Sequence, residues 1–367
     1  MKFLHLSDLH IGKRVNEFPM LTDQKYIFNQ IFDIAQKENI DAVVVAGDVY
    51  DKGIPTIEAV ELFDGFLNKF RMLDIPVLLI SGNHDSSERL DFGGKIFEQS
   101  KIYIAGVFDG LPKKVEFSDT DFYLLPFVKP QNVKRFYPDC EIENYEQAVK
   151  CVIDKTEINA EKCNVLVAHQ LVTAFGENDE LSVGGVENID FSVFDKFDYV
   201  ALGHLHEAKR VGRETVRYGG SPLKYSTSEV SQKKCVTLVE TGKEIKIEKI
   251  PLVPLHDMRE IKGPLNRLIS PGVYMEQERE DYLHVTLTDE ERIFDAIGQL
   301  RRVYPNIMRL DFENRRTAEN SDFLQIQDNE KTPLEMFKEF YRMQNNEDAD
   351  EAKIEIISAI LDKEEEN

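Results

Sequence analysis

Five segments of the chain run from an apolar stretch straight into side chains that bind metals or move protons. "LHLSDLH" delivers Asp8 and His10, "VVVAGD" delivers Asp48, and "LLISGNH" delivers Asn83 and His84. "VLVAH" ends on His169, and "VALGHLH" ends on His204 and His206. Five of the eight histidines in the chain fall at these places. A lone DxH is equally well explained by a satisfied buried pair, and GDVYD (47–51) by an ordinary turn. The ordered series of DLH, GNHD and GHLH is far more specific. Its donors are carboxylates, imidazoles and one amide oxygen, with no sulfur, which suits manganese or iron better than structural zinc. Asp8, His10, Asp48, Asn83, His169, His204 and His206 are too many ligands for one ion, but they suit two ions that share a carboxylate. Such ion pairs, roughly 3.5–4 Å apart, clamp the attacking and leaving oxygens of an in-line displacement at phosphorus.

Positioning seven side chains from distant parts of the chain requires elements that end on one rim. The segments 2–7, 41–48, 76–85, 101–107, 121–127, 164–170 and 198–204 read as strands, and their apolar runs are continuous rather than alternating. Continuous runs are the pattern of strands whose two faces are both covered. Helical spacing over 24–38 puts Ile27, Ile31, Ile34 and Ala35 on one face, and further helices are predicted over 57–70 and near 143–157. In an open α/β sheet the carboxyl ends of the strands form the rim where ligands bind. The later strands, 235–240 and 244–250, lie close together and predict a hairpin added to the parallel part. His5 lies inside its strand and reads as a core residue. His256 and His284 read as structural or surface residues.

Length and composition bound the rest. At 367 residues, 42% hydrophobic and 31% charged, the chain is a globular protein with room for one large domain and a smaller one. Cys140, Cys151, Cys163 and Cys235 form no CxxC pair, so the sequence indicates neither a zinc knuckle nor a disulfide framework. Residues 1–9 lack a basic region followed by an apolar one, and no stretch approaches about 18 uninterrupted apolar residues. A cytoplasmic protein without a membrane span is expected. The net charge of −22 repels polyanions, although nine acids against two lysines after residue 346 supply part of it. A phosphate must therefore be held by a local site, and a pair of divalent ions beside two aspartates would keep that site positive.

A boundary is expected near "IPLVPLHD" (250–257), where two prolines precede a new strand. Beyond it, strands at 281–287 and 306–312 flank a helix over 289–305, with Asp289 as its cap and Pro305 as its stop. "TPLEMFKEFYRM" (332–343) places Leu334, Phe337, Phe340 and Tyr341 on one face, and Ile354, Ile357, Ile360 and Leu361 form a second apolar set. These two helices either pack on their own core or offer an aromatic face to a partner. The loop 176–188 is acidic and glycine-bearing, which suits a mobile or partner-facing role and not a phosphate contact.

In chain order, D8-L-H10, G47-D-V-Y-D51, G82-N-H-D85, A168-H169 and G203-H-L-H206 resemble the calcineurin-like metallophosphoesterases. Within them the chain resembles the nuclease subunits of bacterial SbcC–SbcD complexes, a likeness that continues through 218–229, 254–263 and 281–308. The resemblance implies an α/β metallophosphoesterase sandwich of mixed sheets flanked by helices, over 1–253. It also implies a small α+β capping domain over 254–316 and a helical partner-binding segment over 328–367. Asp8, His10 and His206 would then hold one metal, Asn83, His169 and His204 the other, and Asp48 would bridge them. His84 would stabilise the transition state or protonate the leaving oxygen, with Asp85 orienting its ring. The cofactors implied are two Mn²⁺, with iron or Mg²⁺ as alternatives.

The resemblance implies a DNA nuclease acting in repair and recombination, as a double-strand exonuclease and single-strand endonuclease. Its partners would be an SbcC-type ATPase, docked by the terminal helices, and a second copy of the chain within a heterotetramer. The chain has no GxxxxGK[ST], so it would bind no nucleotide itself. A phosphoprotein phosphatase or small-molecule phosphodiesterase is the alternative, but Lys52 and Asp85 stand where protein phosphatases carry arginine and glutamate. A non-catalytic scaffold would not keep a whole ligand set. For DNA contacts, Lys209, Arg210, Arg213 and Arg217 follow GHLH, and a solvated hairpin explains them equally well. Arg301, Arg302, Arg315 and Arg316 invite the same reading with less support.

Overall fold

A computed structural model describes residues 1–174, 188–291, 293–313 and eight positions between Leu334 and Ile357. Two six-stranded mixed sheets dominate it. In the first, Lys2–Leu6, Ala42–Ala46, Val77–Ile80 and Ile102–Ala105 run parallel, and the hairpin Cys235–Glu240 with Lys246–Pro251 extends the sheet antiparallel from the first strand. In the second, Arg213–Tyr218, Tyr199–Gly203, Cys163–His169 and Thr120–Leu125 run parallel. Arg210–Val211 and Lys113–Glu116 close its two edges antiparallel. The strand over Lys113–Glu116 carries two lysines and a glutamate among its four residues, so no apolar run marks it in the sequence.

The sheets face each other across a shared core. Phe3, Val44 and Leu78 of the first pack with Phe122, Val165 and Tyr199 of the second. Phe3 meets the edges of Phe122 and Tyr199 at ring distances of 5.2 and 5.8 Å, the T-shaped contact that aromatic quadrupoles favour. The neighbouring residues Leu166 and Val200 turn to the far side of the second sheet, where Val149, Val152 and Ile153 of the helix Tyr145–Lys155 cover them. Asn144 caps that helix by accepting from the Gln147 amide at 2.9 Å. The strand Ala42–Ala46 is buried at all five residues, which is why its sequence shows no alternation.

The helix Leu21–Glu38 begins three residues before its expected start and ends at Asn39, whose left-handed φ of 49° stops it. The helix Ile57–Met72 starts at Thr56, whose hydroxyl accepts from the Ala59 amide. Phe28 of the first helix meets Phe66 of the second at 5.1 Å.

Two compact units divide the chain, Met1–Glu260 with Glu280–His284, and Ile261–Arg279 with Val285–Asn367. The division lies a few residues beyond the proline-bearing stretch. Asp23 draws both His256 (ring nitrogen at 3.0 Å) and Tyr282 (hydroxyl at 2.9 Å) into the first unit. The helix expected over 289–305 is shorter than its periodicity indicates, spanning Ala296–Arg301. Its cap is Asp295, which accepts from the Gly298 amide, because the Asp289 carboxylate is taken by the amide of Leu265 at 2.8 Å. The expected loop 176–188 lies outside the described residues except Asn188. So do most of the expected terminal helices, although Phe337 and Tyr341 are described and their rings lie 6.0 Å apart. Among the described residues no helix is long and apolar enough to cross a membrane.

Candidate metal centre

Both sheets deliver their parallel strands to the same place. Asp8, His10, Asp48, Asn83 and His84 follow strands of the first sheet, while His169, His204 and His206 end or follow strands of the second. Beyond the strand ends, the loops stay zipped together. The amides of Asp8, His10 and Ile11 donate to the carbonyls of Gly47, Asp48 and Val49 at 2.9–3.1 Å. Asp8, His10, Asp48 and His204 all have φ between 43° and 107°, a region that side-chain-bearing residues rarely occupy. Such strain persists only where the surroundings over-determine it. The glycines of two motifs are explained by space. A Cβ on Gly203 would lie 1.9 Å from the Ala46 carbonyl oxygen, and one on Gly82 would lie 2.1 Å from Asp48 Oδ1.

All seven residues expected to bind metal come together. His10 Nε2 lies 3.1 Å from His206 Nε2, and Asp48 Oδ2 lies 3.6 Å from His10 Nε2 and 3.4 Å from His169 Nε2. Asn83 Oδ1 sits 3.0 Å from His169 Nε2 and 3.1 Å from His204 Nδ1. Three overlapping groups, Asp8–His10–His206, His10–Asp48–His84 and Asp8–Asp48–His169, each bring their ligand atoms within 4.8 Å of one another. Asp8, His10, Asp48 and His169 are buried, whereas Asn83 and His84 are exposed and make the open side.

The tautomers decide what the cluster can hold. His169 Nδ1 faces the Ala46 carbonyl at 2.8 Å, and a carbonyl only accepts, so Nδ1 carries the hydrogen. His169 Nε2 then faces two more acceptors, Asn83 Oδ1 at 3.0 Å and Asp48 Oδ2 at 3.4 Å, so this point of the cluster calls for a proton or a cation. His206 Nδ1 faces the Glu229 carboxylate at 2.8 Å, which leaves its Nε2 lone pair opposite His10. The buried Nδ1 of His10 has no hydrogen-bond partner. Imidazole nitrogens, carboxylates and an amide oxygen packed this closely need protons or cations between them, and the mixed nitrogen–oxygen set fits cations.

The proton equilibria of the cluster show that a proton on His169 can supply part of the positive charge needed. Burial pushes His10 down to about 3 and, with the His169 charge, pushes His204 down to about 4. Burial would lower His169 too, but Asp48 and Asp8 outweigh it and raise it to about 9. Burial likewise opposes the ionisation of Asp48, yet His169 holds its carboxyl well below the usual range. Asp8, deeper and next to Asp48, is pushed up by burial.

Two expectations about the site need correction. Asp85 does not orient the ring of His84. Its carboxylate accepts the backbone amides of Gly82, Val49 and Tyr50 at 2.9–3.0 Å and so ties the GNHD loop to the GDVYD loop. Burial raises it to about 6. The His84 ring is held instead by the Asp51 carbonyl, 3.1 Å from Nδ1. Of the basic residues after GHLH, Arg217 is buried and paired with Glu214. Arg213 donates to the carbonyls of Phe194 and Phe197, so neither guanidinium is available to a phosphate. Arg210 is exposed beside Glu214, and Lys209 is half-exposed beside Glu207. Sequence reasoning missed Glu229 and Lys234 behind His206. It also missed Gln24 and Tyr225, which both bond the Leu9 carbonyl and hold the DLH loop from beneath.

The model for the calcineurin-like phosphoesterases matches residues 1–208. The chain belongs to this family, in its SbcD branch. The model for the SbcD C-terminal domain, described as the type 5 capsule protein repressor C-terminal domain, matches residues 254–345. The SbcD protein of the nuclease SbcCD from Staphylococcus epidermidis is 33% identical over 374 residues, spanning 99% of this chain and all of that protein. Among solved structures, a dimetal phosphatase from Danio rerio matches at 10% identity with a TM-score of 0.43, over 70% of this chain and 98% of that one. A protein of Thermus thermophilus, TT1561, matches at 9% identity with a TM-score of 0.39, over 68% and 98%.

Proposed function

We propose that the cluster is the two-cation centre of a DNA nuclease. The chain is a metal-dependent phosphodiester hydrolase of the SbcD type. The observation that carries the two-cation reading is the convergence at one rim of imidazole nitrogens and two carboxylates, in groups within 4.8 Å, and of the Asn83 amide oxygen. Asp8, His10 and His206 would hold one ion, and Asn83, His169 and His204 the other, with Asp48 between the two. When bound, such ions polarise phosphoryl oxygens and lower the pKa of water. The sulfur-free donor set favours Mn²⁺ as the occupant.

The chain's own residues supply the rest. His84, exposed at the open side, has its Nδ1 hydrogen engaged by the Asp51 carbonyl, so in its imidazolium form the Nε2–H is the one free to pass to the leaving sugar oxygen, leaving the neutral ring. Asp85 keeps the loop bearing Asn83 and His84 against the loop bearing Asp48. Lys209 and Arg210 are the basic side chains after GHLH left to meet DNA. Residues 254–316 would act as the capping domain. An SbcC-type ATPase would dock on 328–367, and a cytoplasmic homodimer would complete the assembly.

The testing experiment incubates the purified protein and Mn²⁺ with linear duplex DNA, beside a phosphoserine peptide and bis-nitrophenyl phosphate. Cleavage of the DNA and the diester, with the peptide untouched, is the expected result. Preference for the peptide would move the assignment to a protein phosphatase.

A further inference from the structure

Two lysine–carboxylate pairs stand behind the Asp8–His10–His206 half of the cluster. Glu229 Oε1 lies 2.8 Å from His206 Nδ1, and Glu229 Oε2 lies 2.6 Å from Lys234 Nζ. Asp51 Oδ1 lies 2.7 Å from Lys13 Nζ and 3.7 Å from His10 Nδ1, the same order of charges at a longer reach. Glu229 and Lys234 are both buried, 4% and 9% exposed. The Lys234 ammonium has three hydrogens and meets four acceptors at 2.6–2.9 Å, from Glu229, Ser221, Gln232 and the His206 carbonyl. Glu229 ends a short turn over Thr227–Glu229, capped by Ser226. Neither residue belongs to any of the five motifs.

We propose that Glu229, with Lys234 behind it, is the positioning residue of one cation site, holding His206 with its hydrogen on Nδ1 and its Nε2 lone pair towards Asp8 and His10. The proposal rests on the two-cation reading above. A carboxylate behind a ligand imidazole fixes the ring and makes it a better donor. A further buried carboxylate without a counter-charge would be costly to desolvate, and Lys234 neutralises it in place. The other half of the cluster is supported differently, since His169 Nδ1 rests on the neutral Ala46 carbonyl. The two sites therefore differ in support, and loss of Glu229 weakens one of them alone.

The test is the double variant Glu229→Gln with Lys234→Met, which removes both charges together and strands no buried ammonium. Tightly bound manganese is counted by elemental analysis after dialysis, and affinities are measured by titration calorimetry. One ion is expected to bind as in the unmutated protein, and the other about 10–100-fold more weakly. Two ions bound at unmutated affinity would overturn the proposal. Should the variant fail to fold, ¹⁵N-histidine NMR of the unmutated, metal-free protein decides. His206 should show the Nδ1–H tautomer, and an Nε2–H signature would overturn the proposal. Fewer than two ions in the unmutated protein would instead sink the two-cation reading, before any variant is compared.

Discussion

The ring of His84 hangs at the open side of the cluster by one hydrogen bond from Nδ1 to a backbone carbonyl. Replacing it with glutamine removes the titratable nitrogen but leaves all seven expected ligands in place. His84→Gln should therefore keep both ions while cleavage of linear duplex DNA falls by about 10²–10⁴, the usual contribution of a positioned general acid. Elemental analysis and a cleavage assay check this together, and lost metal would mean that His84 is itself a ligand. At this scale the sequence was most legible for residues that sit in short motifs at strand ends. Glu229 and Lys234 were illegible because a supporting carboxylate needs only to reach the far nitrogen of a ring, from any point in the chain. Asp85 was misread for a related reason. Adjacency to His84 suggested contact, whereas the turn points its carboxylate at three backbone amides.

The strands hold the cluster only as firmly as their shared core does. Phe3 is fully buried between the sheets, against both Phe122 and Tyr199. Phe3→Ala should cost about 3–5 kcal/mol, the range for emptying a buried aromatic site, measured by denaturant unfolding. A loss below about 1 kcal/mol would mean that the two sheets are not joined through this contact. At the sheet edge Asp121 is buried between Lys114 and Lys162, each at 2.9 Å. Burial opposes its ionisation, but the two ammonium groups prevail and lower its pKa. A lowered folded pKa gives stability that is present above the ordinary carboxylate range and lost as pH falls through the folded value. Asp121→Asn should thus lower stability at neutral pH and flatten the fall in melting temperature below about pH 4. An unchanged acid limb would remove Asp121 from the account.

Over the whole molecule, an acidic chain of net charge −22 gathers imidazoles, carboxylates and an amide into one cluster, the proposed site of phosphate chemistry. On the proposed reading cations would bind the folded cluster and not the dispersed chain, and so would stabilise the fold by mass action, about 2.7 kcal/mol at a hundredfold excess over Kd. Exhaustive chelation should abolish DNA cleavage and lower the melting temperature by several degrees, and added Mn²⁺ should restore both. A melting curve indifferent to chelation would contradict a cation-filled cluster.

The amino-acid sequence by itself determined which side chains would cluster, because a strand's carboxyl end displays its last residues wherever the strand is placed. It also determined the covered strands, because burial on both faces leaves a continuous apolar run. Tertiary structure alone decided that these strands divide between two sheets, and that both sheets end at one cluster. It alone placed Glu229 behind His206, tied Arg213 to the carbonyls of Phe194 and Phe197, buried Arg217, and shortened the helix after Asp289. Each of these depends on a partner distant in the chain, and local spacing carries no trace of such a partner.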